Sequence, residues 1–431
     1  MILSARALRR SVVRPEVRVV STLGIQTASA TVLAALTARW LGPSDRGVLV
    51  TFIVTSTFLM LVGSAGVPTG GRVLLAGRLS PGHYMAIART LSLLHLAVAA
   101  TVGLGILWLS NALPDLLVAV LFVATAGSQV YAYFQRELVH GLGFHVTAIS
   151  GDLLSAVAQI ILVCSAYLGG GLNIDAACGA VLVGSVTQNL YLYRQIHRIR
   201  SGAPSVVDQL TFTEIVRFSS PAAVGVFCQA FAYRGDRLLL AALTTTAAVG
   251  IYSVAAAMAE AVGLVSMGVS QIVFRRMASI GPGVWYAHIR KVTLLVALCA
   301  CGLMALAAPY IVLDILGPAY EGAINIGYVL IAATLPLASY NMDIAALSGL
   351  GKLKSARRIN MVGAGILLGC CLVTIPFMGV WGATISSVAA YIAMAVLARR
   401  EIVRNTLQSR STRDHLPGGN HEHLTTGIAD G

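Results

Sequence analysis

About twelve apolar stretches, each close to the length of a membrane-spanning helix, follow one another between residues 19 and 398. They are bounded by charge, proline or glycine and lie near 19–41, 47–68, 90–110, 114–135, 147–168, 174–194, 218–243, 247–274, 292–316, 323–349, 359–378 and 380–398. A helix that crosses a bilayer needs about 20 mainly apolar residues and satisfies its own backbone groups where no water can. Hydrophobic residues make up 57% of the 431 positions and charged residues only 11%, more apolar surface than a soluble core can hide. The pattern predicts an all-α integral membrane protein of about 12 transmembrane helices.

The 30 Lys and Arg residues supply an internal check, because the connections on the cytoplasmic side of a membrane protein are enriched in them. Arg6, Arg9, Arg10, Arg14 and Arg18 precede span 1, and Arg399, Arg400, Arg404, Arg410 and Arg413 follow span 12. The even-numbered connections carry most of the rest, so that 26 of the 30 fall on one side. The exceptions are Arg39, Arg46, Arg234 and Arg237. The expectation is a multi-pass protein of the bacterial inner membrane with both termini cytoplasmic. A net charge of +13 raises the question of nucleic acid, but basic residues confined to the ends of apolar stretches report topology, and no nucleic-acid partner is expected. The first apolar stretch is too long for the h-region of a signal peptide and reads as an uncleaved span, although Ala28-Ser29-Ala30 resembles a cleavage site.

Short internal matches predict a duplicated architecture. Gly141-Leu142-Gly143 after span 4 recurs as Gly349-Leu350-Gly351 after span 10, and Gly47-Val48-Leu49 opening span 2 has a counterpart in Gly250-Ile251-Tyr252 opening span 8. The offsets, 208 and 203, are nearly equal and place six spans between the members of each pair. The predicted organisation is a basic arm at 1–18, a six-helix lobe at 19–194, a connecting loop at 195–217, a second six-helix lobe in parallel orientation at 218–398 and a disordered cytoplasmic tail at 399–431. His421, Glu422 and His423 in that tail read as solvated, and the seven cysteines, all within apolar stretches, read as packing residues. No metal site and no cofactor is expected.

Charges embedded in the membrane are the best clue to chemistry, because each must face a cavity or a partner. Span 7 contains Gln229, Tyr233, Arg234, Asp236 and Arg237. At about 100° per residue Gln229, Tyr233 and Arg237 share one stripe, with Arg234 on the adjoining ridge, so they can act on one cavity wall. Two accounts stand: Asp236 neutralises one arginine in an internal salt bridge, or the arginines form a site for an anionic headgroup, the chemistry to which bidentate guanidinium is suited. Arg39 either adds to that site or snorkels to the interface. Glu260, near the middle of span 8, either takes up a proton coupled to transport or pairs with a span-7 arginine. Asp152 and Asp343, near the basic ends of spans 5 and 10, are candidates for gating or ion coupling, with ordinary hydration the favoured expectation. Gln229 and Tyr233 are candidates for sugar contacts; Gln159, Gln188, Asn189 and Asn341 read as hydrogen-bonding glue between helices or as further sugar contacts. No phosphate-binding loop, His-Glu-x-x-His helix or nucleophile elbow occurs, so no catalytic residue is assigned.

Ordered strings along the chain carry a family resemblance. Asp236-Arg-Leu-Leu-Leu-Ala-Ala-Leu followed by Val249-Gly-Ile-Tyr-Ser-Val-Ala, together with Trp40-Leu-Gly-Pro-Ser-Asp-Arg-Gly-Val, Leu316-Gly-Pro-Ala-Tyr-Glu, Leu350-Gly-Lys-Leu-Lys and Gly379-Val-Trp-Gly-Ala-Thr, resembles the polysaccharide and O-antigen flippases (Wzx-like) of the multidrug/oligosaccharidyl-lipid/polysaccharide exporter superfamily. The resemblance spans about residues 19 to 400. It implies two MATE-like six-helix bundles that move polyprenyl-pyrophosphate-linked glycans to the outer leaflet by alternating access. It also implies cationic lumen residues, here Arg234 and Arg237, that meet the pyrophosphate, an ion gradient rather than ATP as driving force, and membrane lipids, glycan polymerase and export machinery as partners. Peptidoglycan lipid flippases of the same superfamily have more spans and more early cations; with Arg39 alone in the early spans, the resemblance favours an oligosaccharide or exopolysaccharide. The other readings weighed are a cation-coupled small-molecule exporter and, from another class, a membrane glycan polymerase or glycosyltransferase. The short odd-numbered connections leave the last of these little room for an outer catalytic loop.

Overall fold

The structure, a computed structural model, describes residues 15–75, 79–200, 210–281 and 283–414. Among them the secondary structure is helical, with no strand. The first lobe contains α1 (Pro15–Gly63), the short α2 (Val67–Leu74), α3 (Pro81–Val98), α4 (Leu104–Leu109), α5 (Leu116–Gly141), α6 (His145–Leu168) and α7 (Ile174–Arg200). The second contains α8 (Phe212–Leu243), α9 (Thr246–Ile280), α10 (Val284–Tyr310), α11 (Ala323–Gly349), α12 (Leu353–Met378) and α13 (Val380–Asp414). A π-turn at Ala99–Gly103 fuses α3 to α4, and another at Ile311–Leu316 extends α10.

Ten helices among the described residues are long and apolar enough to cross a membrane. Helix α1 counts once among them, yet it breaks at Gly42 (φ 74°) ahead of Pro43, which has no N–H to continue the ladder, so it supplies two spans. Helix α7 is 27 residues long and packs between α5 and α6. Polar residues such as Gln188 and Asn189 lower its apolar content without shortening it. Twelve spans follow, and the chain is a multi-pass membrane protein.

Both sequence repeats are structural. Helices α5 and α11 end in the same way: Leu142 and Leu350 cap them, Gly143 (φ 88°) and Gly351 (φ 73°) take the left-handed conformation, and the N–H groups of Phe144 and Lys352 reach back to the carbonyls of Val139 and Leu347 at 3.0 and 2.9 Å. This six-to-one bond across a left-handed glycine satisfies carbonyls that a helix end otherwise leaves open. The second repeat is an interface. A Cβ on Gly47 would lie 1.7 Å from the Thr246 carbonyl oxygen, and one on Gly250 would lie 1.9 Å from that of Pro43. The two contacts are related by the same 203-residue offset, so the start of span 2 and the start of α9 cross backbone to backbone in pseudo-twofold fashion, joined also by Ser44 and Thr246 hydroxyls 3.2 Å apart.

This crossing lies at the end of the bundle opposite the arginine-rich connections. Nearby, Tyr320, in the turn between α10 and α11, donates to the Ala38 carbonyl at 2.8 Å; burial pushes its phenol above the usual range and keeps it a donor. At the basic end, α8 leans on the first lobe: Ser219 and Ala223 pack on Gly66 and Gly70, and Ile215 is buried among first-lobe residues. Helix α8 thereby straps the lobes together.

Helix α8 starts inside the stretch read as a connecting loop. Thr211 and Glu214 form a reciprocal cap, with the Glu214 carboxylate accepting from the Thr211 N–H at 2.7 Å and the Glu214 N–H donating to Thr211 Oγ1 at 3.4 Å. Thr211→Ala is expected to lower hydrogen-exchange protection of the Glu214 and Ile215 amides while the rest of α8 stays protected; unchanged protection would show that the cap is idle. Helix α13 likewise runs to Asp414, into the stretch read as disordered tail. The arm at 1–14, loop residues 201–209 and the tail with His421, Glu422 and His423 lie outside the described residues. The cysteines are all free, and Cys178, Cys301 and Cys371 are buried.

Candidate functional site

Arg234, Arg237 and Glu260 come together between α8 and α9. Glu260 accepts from Arg237 Nη2 at 2.6 Å, and Arg234 Nε lies 3.5 Å from the same oxygen. Of the two accounts of Glu260, the ion pair is the one found. The arginines are not equivalent: the Arg237 side chain is 11% exposed and committed to the carboxylate, whereas Arg234 is 48% exposed. A charge within a span is stabilised by a partner or by water, and Arg234 has both a carboxylate at 3.5 Å and an exposed remainder.

Asp236 does not neutralise a guanidinium side chain. It is buried, and its carboxylate accepts from Tyr252 at 2.5 Å, from Ser387 at 2.8 Å and from the Arg237 backbone N–H at 2.8 Å. These bonds fasten α8 to α9 and α13, which makes Asp236 a positioning group for the arginine beside it.

Arg46 rather than Arg39 approaches the arginine pair. Arg39 donates to the backbone carbonyls of Ile315 and Asp314 at the end of α10 and does not reach the arginine pair. Arg46 is buried, donates to Thr37 Oγ1 at 2.7 Å and lies within electrostatic reach of Arg237 and Glu260. Three guanidiniums, those of Arg237, Arg234 and Arg46, therefore lie within electrostatic reach of Glu260 at the lobe junction. The Nε atoms of Arg46 and Arg237 have no hydrogen-bond partner among the described residues, so donors are left over. The signal for Arg46 was its position among the four basic residues off the arginine-rich side.

Gln229 and Tyr233 face a second-lobe network rather than the arginines. Tyr233 donates to Asn341 Oδ1 at 2.6 Å, Asn341 donates to Ser266 at 3.2 Å, and the Tyr233 ring meets Tyr340 and Tyr391 edge-on. This is glue between α8, α9, α11 and α13.

The hydration expected for Asp343 is not found, whereas the Asp152 side chain keeps 18% exposure on a cavity. Asp343 is 0% exposed, accepts from Tyr286 at 2.5 Å and lies 3.6 and 3.7 Å from Arg290 and Arg399. It pins α10, α11 and α13 together at the basic end, because an anion in a dry site is tolerable only when paired. Asp152 lies 3.4 Å from Arg136 and accepts from Gln188 at 2.5 Å, while Glu137 receives Arg72 and lies 3.5 Å from Arg136. Removing one partner of a buried pair costs about 3–5 kcal/mol. Asp343→Ala is therefore expected to lower the melting temperature of the detergent-solubilised protein more than Asp152→Ala; the reverse order would refute the clasp.

No protein-family model and no curated protein matches this sequence. Solved structures do. An inward-facing multidrug-resistance transporter of the MATE family, in the MOP superfamily, superposes with a TM-score of 0.71 at 13% identity, covering 90% of this chain and 96% of that one. The lipid II flippase MurJ in an inward closed conformation gives 0.68 at 13% identity over 92% and 93%. An outward-facing MATE transporter gives 0.58 at 15% identity over 93% and 96%. With two six-helix lobes joined at their repeat-related glycines, this chain has the fold of the MOP-superfamily transporters.

Proposed function

We propose that the protein is a flippase for polyprenyl-pyrophosphate-linked glycans, carrying them from the cytoplasmic to the outer leaflet of a bacterial inner membrane by alternating access, with both of its termini in the cytoplasm. The observation that carries this reading is the gathering of three guanidiniums around Glu260 at the lobe junction, where Arg234 is half-exposed and Arg237 is buried against the carboxylate. Phosphate oxygens are the acceptors that a planar guanidinium matches best. A neighbour of the same fold that flips lipid II supports a lipid-linked substrate.

The same fold also serves multidrug-resistance transporters, which keeps a cation-coupled small-molecule exporter as the second reading. Guanidiniums at the junction disfavour a cationic drug, since like charge at a binding site costs affinity. The discriminating experiment reconstitutes the protein in proteoliposomes with fluorescent lipid-pyrophosphate glycan and, separately, with a cationic dye. Translocation of the glycan and loss of it in the Arg234→Ala/Arg237→Ala variant support the flippase; dye transport without glycan transport supports the exporter.

A further inference from the structure

Within the first lobe, between span 2, α5, α6 and α7, lies a cavity of about 250 Å³. Its polar wall is made by Thr57, Gln129, Tyr133, Asp152, Gln159 and Gln188 beside Arg136, and Ile53, Met60 and Val181 supply an apolar side. The space equals the share of about eight water molecules at ~30 Å³ each, the scale of one pyranose ring with its hydroxyls.

The charges around it cancel. Arg136 and Gln188 hold Asp152, and Arg136 with Arg72 holds Glu137, so two guanidiniums face two carboxylates. Neither an anion nor a cation is favoured. What remains is neutral hydrogen-bonding capacity. Gln159 donates to Ser155 at 3.1 Å and keeps its carbonyl oxygen; Gln188 donates to Asp152 and keeps its own; Gln129 makes no hydrogen bond to another described residue. Asn189, by contrast, commits its amide nitrogen to Ser128 at 2.8 Å and to the Ser185 carbonyl at 3.0 Å. The three glutamines instead leave donors and acceptors around an open space at membrane depth, where unpaired amide groups are costly. The Tyr133 ring, with the Arg136 guanidinium 5.3 Å from its centroid, adds a flat face. Neutral donors and acceptors around a ring-sized space beside an aromatic face suit a polyhydroxylated, uncharged ring.

We propose that this first-lobe cavity is the subsite for an uncharged sugar residue of the lipid-linked glycan, while the arginines at the lobe junction take the pyrophosphate. The inference rests on the flippase reading above and divides its substrate between two sites. The test measures binding to the purified full-length chain in nanodiscs, with undecaprenyl pyrophosphate alone and bearing one glucosyl, galactosyl or N-acetylglucosaminyl residue. At least one glycosylated lipid is expected to bind about tenfold more tightly than the bare lipid, the increment of one or two well-placed hydrogen bonds. Gln129→Leu/Gln159→Leu, and separately Gln129→Trp, which fills the space, are expected to lose that increment and keep the affinity for bare undecaprenyl pyrophosphate. Either variant that folds, as judged by melting and size-exclusion profiles, provides the comparison. An increment that survives in the variants, or no glycosylated lipid binding more tightly than the bare one, overturns the sugar subsite. Bare-lipid affinity insensitive to Arg234→Ala overturns the flippase reading itself, and the two failures are thereby told apart.

Discussion

Oxidative cross-linking of a Ser44→Cys/Thr246→Cys variant, built in a background without the seven native cysteines, is expected to stop glycan translocation, and reduction to restore it. The hydroxyl oxygens of these residues are 3.2 Å apart at the crossing of span 2 and α9, so sulfurs at the same positions need to close by only about 1 Å to reach the ~2.05 Å of a disulfide. An alternating-access cycle must part the lobes at this end to release substrate outward. A covalent bond across the crossing holds them together. The glycines supply the converse experiment. A Cβ at Gly250 would sit 1.9 Å from the Pro43 carbonyl oxygen, against an ordinary carbon-to-oxygen contact of about 3.3 Å. Both colliding groups belong to backbone, so Gly250→Val cannot be absorbed by a rotamer change and must separate the helices. Overpacking of this kind costs about 1–3 kcal/mol, enough to reduce translocation roughly 5- to 150-fold if it falls on the closed state of this end, with the outer end reporting as open to impermeant thiol reagents at a cysteine introduced for Thr246. Full translocation by the completely cross-linked protein would show that the lobes do not part here.

Replacing both Arg234 and Arg237 by alanine is expected to abolish translocation, and the single variants are expected to differ. Arg234 presents the more exposed guanidinium, so Arg234→Ala removes one charge-assisted contact to phosphate, worth about 1.5–3 kcal/mol, or roughly 10–100-fold in affinity. Arg234→Lys keeps the charge but not the planar fork and should recover part of the loss. Arg237→Ala acts indirectly: Glu260 loses its 2.6 Å partner and draws in Arg234, which now lies 3.5 Å away, so the headgroup loses both cations. Glu260→Gln works in the opposite direction, freeing both guanidiniums; it should tighten binding of lipid pyrophosphate while slowing turnover through delayed release. The measurements are binding in nanodiscs and initial rates in proteoliposomes. Unimpaired translocation by the double variant would eliminate the arginine pair as the anion site.

Much of the architecture was legible because it is written in local chemistry. The glycine that ends α5 in the left-handed conformation can be read from Gly141-Leu142-Gly143, and its repeat at Gly349-Leu350-Gly351 is a second copy of the same helix stop. The site was less legible. Asp236 and Glu260 are both acidic and both close to the arginines in sequence or in the neighbouring span, yet Asp236 spends its oxygens on Tyr252, Ser387 and a backbone N–H, and Glu260 takes the side chains. Rotation of α9 about its axis decides between them, and apolar patterning constrains that rotation weakly when a helix is apolar on all sides. Asp343 was read as hydrated from its nearness to a span end, but partners from α10 and α13, distant in sequence, close over it.

The number of spans, their lengths, the crowding of basic residues on one side and the duplication of the lobes were determined by the sequence alone. Each follows from residue type and spacing along one chain, under a solvent that admits only self-satisfied helices. Only the tertiary structure decided that the 203-residue repeat is the lobe contact itself, that Arg46 rather than Arg39 joins the arginine pair, and that Gln129, Gln159 and Gln188 surround one cavity. Those facts depend on how helices rotate and pack against one another, which short-range chemistry leaves open.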